Sequence, residues 1–329
     1  MPPFRRAGLF RLSAVAGTAA ILALAYVSEA RADAIDVKAT PVPLNADDPG
    51  HTTVGKLAYR GGLVLTSSEP RFGGFSALGV SPDGARLLAI SDKAKRLFMR
   101  PAYDEQGNLV GVTDTQMDNL VAPSGRPLIL SDETDAEAMA PGVDGSILVA
   151  FERDHRIWRY PPDGGPPEPI PPPDELKFAP ANGGIEGLAL LKDGRLFALT
   201  EEFAKGGRTV GWVSSEDGWS VLTYAAVDGF KPTDATTLPD GDVVVLERYF
   251  TLRGSGAARL KRVKGNTIAP GAHLEGTLIA ELRPPLTVDN MEGIATRRTD
   301  DGRTLLYLIS DDNFSRLQRT LLMMFELKE

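Results

Sequence analysis

The sequence predicts an all-β protein, a β-propeller of five recognisable blades. Two observations carry that expectation: one hairpin pattern recurs five times, and no stretch between the copies shows sustained helical periodicity with caps. The copies are GFSALGVSPDGARLLAISD (74–92), DAEAMAPGVDGSILVAFE (135–152), GGIEGLALLKDGRLFALTEE (183–202), TDATTLPDGDVVVLE (233–247) and NMEGIATRRTDDGRTLLYLISD (290–311). Each holds an apolar run, an Asp-Gly turn, a second apolar run and an acid at its end. Successive copies start roughly 50–60 residues apart, the repeat length of a four-stranded blade.

Asp-Gly between two apolar runs signals a hairpin, because the turn needs a positive φ that glycine adopts at little cost. The second runs (RLLAI, SILVAF, RLFAL, DVVVLE, TLLYLI) are almost continuously apolar, as strands buried on both faces are. Further strands follow the hairpins, among them RIWRY (156–160), GWVSS (211–215) and RLKRV (259–263). The fifth unit runs out of chain after LLMMFEL (321–327), so LAYRGGLVLT (57–66) is expected to supply its outer strand and close the ring. Residues 93–134 are long for half a blade and leave room for a sixth, degenerate one. The proline-rich stretch PPDGGPPEPIPPP (161–173) reads as an extended surface loop.

The N-terminus has the form of an export signal. Arg5, Arg6 and Arg11 precede the apolar run LSAVAGTAAILALAYV (12–27), and Ala30-Arg31-Ala32 offers a small-x-small cleavage site. The expected organisation is a cleaved signal peptide at 1–32, an N-terminal extension at 33–54 and the propeller at 55–329. Arg5-Arg6 with Leu9-Phe10 partly matches a twin-arginine signal. The apolar run is short for the ~20 residues of a bilayer span, so no stable membrane span is expected after cleavage, and the mature protein is expected to be periplasmic or secreted. Cleavage leaves 32 basic against 43 acidic side chains, a formal charge of −11. That balance argues against nucleic-acid binding, which needs basic stripes. The absence of cysteine excludes disulfides, thiolate metal sites and a cysteine nucleophile.

The two ends of a hairpin meet, since its strands are antiparallel. Counting from the Asp-Gly turns gives a leading column of Ser76, Glu137, Glu186, Asp234 and Glu292, and a trailing column of Asp92, Glu152, Glu201, Glu247 and Asp311. If the hairpins are the innermost strands, these side chains crowd one mouth of the central channel. Nine carboxylates in one place need raised pKa values, basic partners or a bound cation. A hard divalent ion such as Ca²⁺ takes several oxygen ligands, for which Glu137, Glu186, Glu201, Glu292 and Asp311 are the candidates. Asp312 and Asn313 offer extra oxygen. Lys93, Arg153 and Arg248, each directly following a trailing acid, are candidates for holding a substrate anion, with Lys205, Arg208 and Arg316 nearby in sequence.

At these hairpins the sequence resembles the phytase-like domain family described by esterase-like activity. The likeness is carried by GGFSALGVSPDGARLLAISD, GGIEGLALLKDGRLFALTEE, TDATTLPDGDVVVLER, MEGIATRR and LISDDNFSRLQRTLLMMFEL, with SDDNFSRLQ (310–318) its most specific piece. It covers roughly residues 55–329 and implies an exported propeller that hydrolyses esters or phosphoesters with help from a divalent metal. No catalytic set carries over beyond the motif positions themselves.

The residues narrow the chemistry further. Ser76 lies in GGFSALG, which lacks the G-x-S-x-G of a nucleophile elbow. Of the three histidines His51, His155 and His273, only His155 follows a trailing acid closely, and it is the acid-base candidate beside Glu186 and Glu292. Metal-assisted hydrolysis of a small ester or phosphoester fits best. Two alternatives stay open: a binding propeller without turnover, stabilised by a cation, and a Ca²⁺-dependent lactonase-like enzyme.

Overall fold

The five Asp-Gly turns all close hairpins. Their glycines take positive φ, from 72° at Gly84 to 97° at Gly241. In four of them the Asp carboxylate accepts the N–H two residues on: Asp83 from Ala85, Asp144 from Ser146, Asp193 from Arg195 and Asp240 from Asp242. This computed structural model describes residues 32–129, 131–250 and 256–328. The signal-like segment, with its twin-arginine pattern, falls at 1–31, outside the described residues.

Each hairpin is the inner half of one four-stranded antiparallel blade. Blade I runs outward through Phe75–Val80, Leu87–Ser91, Lys95–Tyr103 and Leu109–Asn119. Blade II has Ala136–Pro141, Ile147–Phe151, Arg156–Tyr160 and Glu168–Ile170, and blade III has Ile185–Leu190, Leu196–Lys205, Arg208–Ser215 and Gly218–Tyr224. Blade IV has Lys231–Thr237, Val243–Phe250, Gly256–Val263 and Thr277–Leu282. Blade V takes Met291–Arg298, Thr304–Ser310 and Thr320–Leu327 from the end of the chain. Its fourth strand, Leu57–Ser67, comes from the beginning of the chain and pairs with Thr320–Leu327. Val37–Pro41 adds outside it, and Asp33–Ala34 pairs with the edge of blade I. The innermost strands adjoin in the order I, II, III, IV, V and back to I.

The core lies in the five seams between blades rather than on the axis. One apolar cluster fills each seam; between blades V and I, for instance, Leu63, Leu65, Tyr307 and Leu322 meet Phe75, Leu87, Leu97 and Met117. Burying one such Leu or Phe contributes about 1.5–3 kcal/mol, so every blade is held by both neighbours. Small residues permit the approach near the axis. A Cβ on Gly293 would lie 2.7 Å from Ile309 and 2.9 Å from the backbone of blade I.

Two expectations change. Residues 95–119 are the third and fourth strands of blade I, not a sixth blade. The proline-rich stretch is partly strand: Glu168–Ile170 forms the edge of blade II, with Pro169 opposite Trp158. A proline is tolerated there because an edge strand has a side that donates to nothing.

Candidate metal and active site

Every inner strand is kinked by a register shift where it leaves the mouth. The residue opposite no single partner is Ser76 in blade I, Glu137 in II, Glu186 in III, Thr233 in IV and Glu292 in V. Such bulges re-aim a side chain and bend the strand. The residue that follows the partner of the pre-bulge residue on the second strand is Asp92, Glu152, Glu201, Arg248 and Asp311 in the same order, Arg248 being itself paired with Lys231.

Blade IV therefore corrects both columns by one residue. Pro232 pairs with Glu247 and Asp234 with Leu246, which leaves Thr233 and Arg248 in the mouth positions. Asp234 points instead into the seam with blade V, 0% exposed, accepting the N–H groups of Ala235 and Ile294, both at 2.7 Å. Glu247 faces the seam with blade III, where Tyr224 Oη donates to it at 2.6 Å and Lys261 Nζ lies 3.1 Å away. The spacing held the signal. Seven residues separate Ser76, Glu137, Glu186 and Thr233 from their turn aspartates, and eight separate the turn aspartates from Glu152, Glu201 and Arg248.

The mouth has two unlike halves. On the side of blades II and III, ligand oxygens of Asp135, Glu137 and Glu152 lie within 4.8 Å of one another. Glu186 stands in the next blade, 7% exposed and without a hydrogen-bond partner among the described residues. Asp135 was not among the candidates read from the sequence, although it lies two residues before Glu137. On the side of blades IV and V, Arg248 dominates. Its Nη2 donates to Glu201 Oε1 at 2.8 Å and its Nη1 to Asn290 Oδ1 at 2.9 Å, and its Nε lies 3.1 Å from Glu292 Oε1. That last contact is an ion pair without hydrogen-bond alignment. Asn290, also missed, stands two residues before Glu292 and donates to its Oε1 at 2.8 Å.

Burial and mutual repulsion set the protonation of this ring. Burial, then the fields of Glu152, Asp135 and Asp92, hold the Glu137 carboxyl well above the usual range. Burial and the fields of Glu137, Glu292 and Glu201 do the same for Glu186. Glu292 is pushed up to about 8 chiefly by burial, against the pull of Arg248, and Asp311 to about 7 by burial, against the N–H of Asn313. Burial also lifts Glu152 to about 7 and Asp92 to about 6. For Arg248 burial disfavours charge, but Glu292, Glu201 and Glu186 outweigh it and raise the pKa.

The remaining candidates divide by what already holds them. Arg153 is tied to Asp135 at 2.5 Å. Lys93 is exposed, its Nζ stands 3.1 Å above the centre of the Phe314 ring, and it has no carboxylate ion pair among the described residues. The Phe314 ring is placed by an unusual turn, since Asn313 and Phe314 both take left-handed φ, 47° and 51°. Asp312 clamps that turn with both oxygens, accepting from Gly74 N, Phe314 N and Thr320 Oγ1, so it is not spare oxygen for a metal. Asp311 accepts from Asn313 N at 2.6 Å. The glycine before the first inner strand is required here. A Cβ on Gly74 would lie 2.3 Å from Asp92 Oδ1 and 2.6 Å from Phe314.

His155 donates through Nε2 to the carbonyl of Pro180 at 3.1 Å, which leaves Nδ1 as the free ring nitrogen. Glu152 and His155 flank Gly184, whose N–H the Glu152 carboxylate accepts. Ser76 donates to the carbonyl of Ala136 in blade II at 2.6 Å and is buried. Arg208 turns away to Leu274 O and Glu275.

A family model described as "Phytase-like: Esterase-like activity of phytase" matches residues 70–314. No curated protein matches the chain. Similar solved structures include a protein of unknown function from Dyadobacter fermentans, 12% identical, with 92% of this chain and 97% of that one covered at a TM-score of 0.45. A catalytically inactive virginiamycin B lyase from Staphylococcus aureus with quinupristin is 13% identical, with 88% and 99% covered and a TM-score of 0.43. The PQQ-bound aldose sugar dehydrogenase of Streptomyces coelicolor is 16% identical, with 88% and 98% covered and a TM-score of 0.39.

Proposed function

We propose that this chain, which belongs to the phytase-like family, is an exported hydrolase of a small ester or phosphoester that works with a divalent cation at its carboxylate mouth. The observation that carries this reading is the oxygen cluster of Asp135, Glu137 and Glu152, with the unpartnered, buried Glu186 beside it. Two oxygens bound to one Ca²⁺ at about 2.3–2.6 Å stand up to about 5 Å apart, so the 4.8 Å limit on that cluster fits the group. An all-oxygen donor set favours Ca²⁺ or another hard ion over zinc. A cation held there polarises a substrate oxygen and acidifies bound water.

The chain's own residues supply the rest. Lys93, which forms no carboxylate ion pair among the described residues, meets the anionic oxygen of the substrate, whereas Arg153 and Arg248 are already paired. Glu186, whose carboxyl burial and the neighbouring acids hold above the usual carboxylate range, is the group that donates a proton to the leaving oxygen. His155 Nδ1 accepts a proton on the blade II side, its tautomer set by Pro180 O. Glu292, gripped by Asn290 and facing Arg248, is a positioning residue for that guanidinium. The signal-like N-terminus supports action outside the cytoplasm, on a small molecule rather than on nucleic acid.

The test is hydrolysis of p-nitrophenyl phosphate, a short p-nitrophenyl acyl ester, phytate and a lactone by the mature protein, with Ca²⁺ and with chelator. Calcium-dependent turnover of one class, lost in Glu186→Gln, is the expected result. No turnover, with calcium raising only the melting temperature, overturns the hydrolase and leaves a cation-stabilised binding propeller.

A further inference from the structure

The trailing positions of four blades end in carboxylates and the fifth ends in Arg248. What surrounds that guanidinium is a cation's donor set. Glu201 Oε1, Asn290 Oδ1 and Glu292 Oε1 converge on it at 2.8, 2.9 and 3.1 Å, from blades III and V. Two carboxylates and an amide carbonyl are the ligands a hard divalent ion takes from protein. The fit to the guanidinium is incomplete. Its Nε has no aligned acceptor, and Glu292, 6% exposed, keeps Oε2 buried with no hydrogen-bond partner. An unpartnered carboxylate oxygen at that depth points to a ligand position that the guanidinium fills only in part.

The opposite half of the mouth differs in the one respect that matters. Asp135, Glu137 and Glu152 bring their oxygens within 4.8 Å of one another, and the guanidinium on that side, Arg153, stands at the exposed rim, bonded to Asp135 and with its charge felt also by Glu152 and Glu137. Blade IV also contributes no carboxylate at its leading position, since Thr233 donates to Met291 O at 3.1 Å instead. Among the described residues the mouth thus has one cluster of three acids open to a cation and one donor set closed by a permanent cation, because arginine does not lose its proton in proteins.

We propose that Arg248 stands in the place of a second metal ion, so that the mouth binds one divalent cation, on the side of blades II and III. The inference rests on the cation reading above and adds its stoichiometry. It also sets the class of reaction. Two ions about 3.5–4 Å apart clamp both the attacking and the leaving oxygen of a substrate. With a guanidinium in the second place, water activation belongs to one side of the mouth, and the other side offers charge without a bound water.

Calorimetric titration of the chelator-stripped mature protein with Ca²⁺, checked by native mass spectrometry, counts the ions directly. The expected counts are one for the wild type, two for Arg248→Gln, none for Glu137→Gln and one for the double variant Arg248→Gln/Glu137→Gln. Two ions on the wild type overturn the proposal whether or not any variant folds. An unchanged count in folded Arg248→Gln also overturns it and leaves the single-cation reading standing. No ion on the wild type with one on Arg248→Gln supports the role of Arg248 and removes the resident cation. No ion on either protein removes both. Arg248→Lys, which keeps the charge, is expected to bind one ion, and a second ion there counts against the proposal.

Discussion

Asp234 Oδ2 accepts the backbone N–H of Ile294 at 2.7 Å, so a carboxylate of blade IV closes onto the innermost strand of blade V. The other four blades carry Ala77, Ala138, Gly187 or Gly293 at the corresponding position. Asp234→Ala strands two buried N–H groups and is expected to cost about 1–3 kcal/mol each, read as a lower melting temperature. Calcium binding should be unchanged in the same variant. A loss of calcium affinity without a loss of stability would return Asp234 to the mouth.

Glu247 makes the matching prediction in the seam with blade III. Glu247→Gln leaves Lys261, 7% exposed, without its counter-ion, and breaking a buried pair from one side costs roughly 3–5 kcal/mol. Replacing both residues, Glu247→Gln with Lys261→Met, is expected to recover part of that loss. Chemical denaturation of the single and double variants measures it, and purely additive effects would show that the pair is not coupled.

The pH dependence follows from the raised carboxyls. In the unfolded chain these groups release their protons near pH 4, whereas the folded chain holds them until about 6 at Asp92, about 7 at Glu152 and Asp311 and about 8 at Glu292. Their contribution to stability is complete below the unfolded values and is lost as pH rises through the folded ones. In chelator, the melting temperature should fall between about pH 5 and about pH 9. Calcium favours the ionised ring, so the gain it gives should grow over the same interval. Carboxylates held low by arginine, such as Glu69 beside Arg71, act in the opposite sense, but only at more acid pH. A calcium gain independent of pH would contradict the ring as the site.

Ser76 tests the serine-esterase route. Its hydroxyl is committed to Ala136 O across the seam between blades I and II. Ser76→Ala is expected to lower stability by about 1 kcal/mol and to leave turnover of any accepted substrate within a few-fold of wild type. Loss of turnover by orders of magnitude in a folded variant would make Ser76 the nucleophile.

Closure of the ring depends on Leu57–Ser67. Leu63 in that strand is 0% exposed in the core between blades V and I. Leu63→Ala is expected to cost about 2–5 kcal/mol. Thr66→Ala, at an exposed position of the same strand, should cost far less. Equal melting temperatures for the two variants would mean that this strand does not latch the ring.

The ring of blades was legible because its signals are local. Asp-Gly turns and apolar runs repeat within one hairpin, and the bonds that close a hairpin lie within the same stretch of chain. The single register error also has a local cause. Asp234 and Glu247 are carboxylates one residue from the mouth positions, so chemical type and spacing point to different residues there, and a shift of one residue turns a strand side chain to the other face. Asp135 and Asn290 were missed for a different reason. Each stands two residues before a bulged acid, where its chemistry shows only after folding brings Arg153 of the same hairpin to Asp135 and Arg248 of blade IV to Asn290.

By itself the sequence determined the five repeats, the latch strand and the concentration of acid at one end of the hairpins, because these follow from periodicity and turn chemistry. Only the tertiary structure decided how that acid is used. It separated the open cluster of Asp135, Glu137 and Glu152 from the half closed by Arg248, and it sent Asp234 and Glu247 into the seams. It also committed Ser76 to a neighbouring carbonyl. Those outcomes turn on distances of a few ångströms between blades far apart in sequence, where burial and the nearest opposite charge determine whether a carboxylate binds a metal, a proton or an arginine.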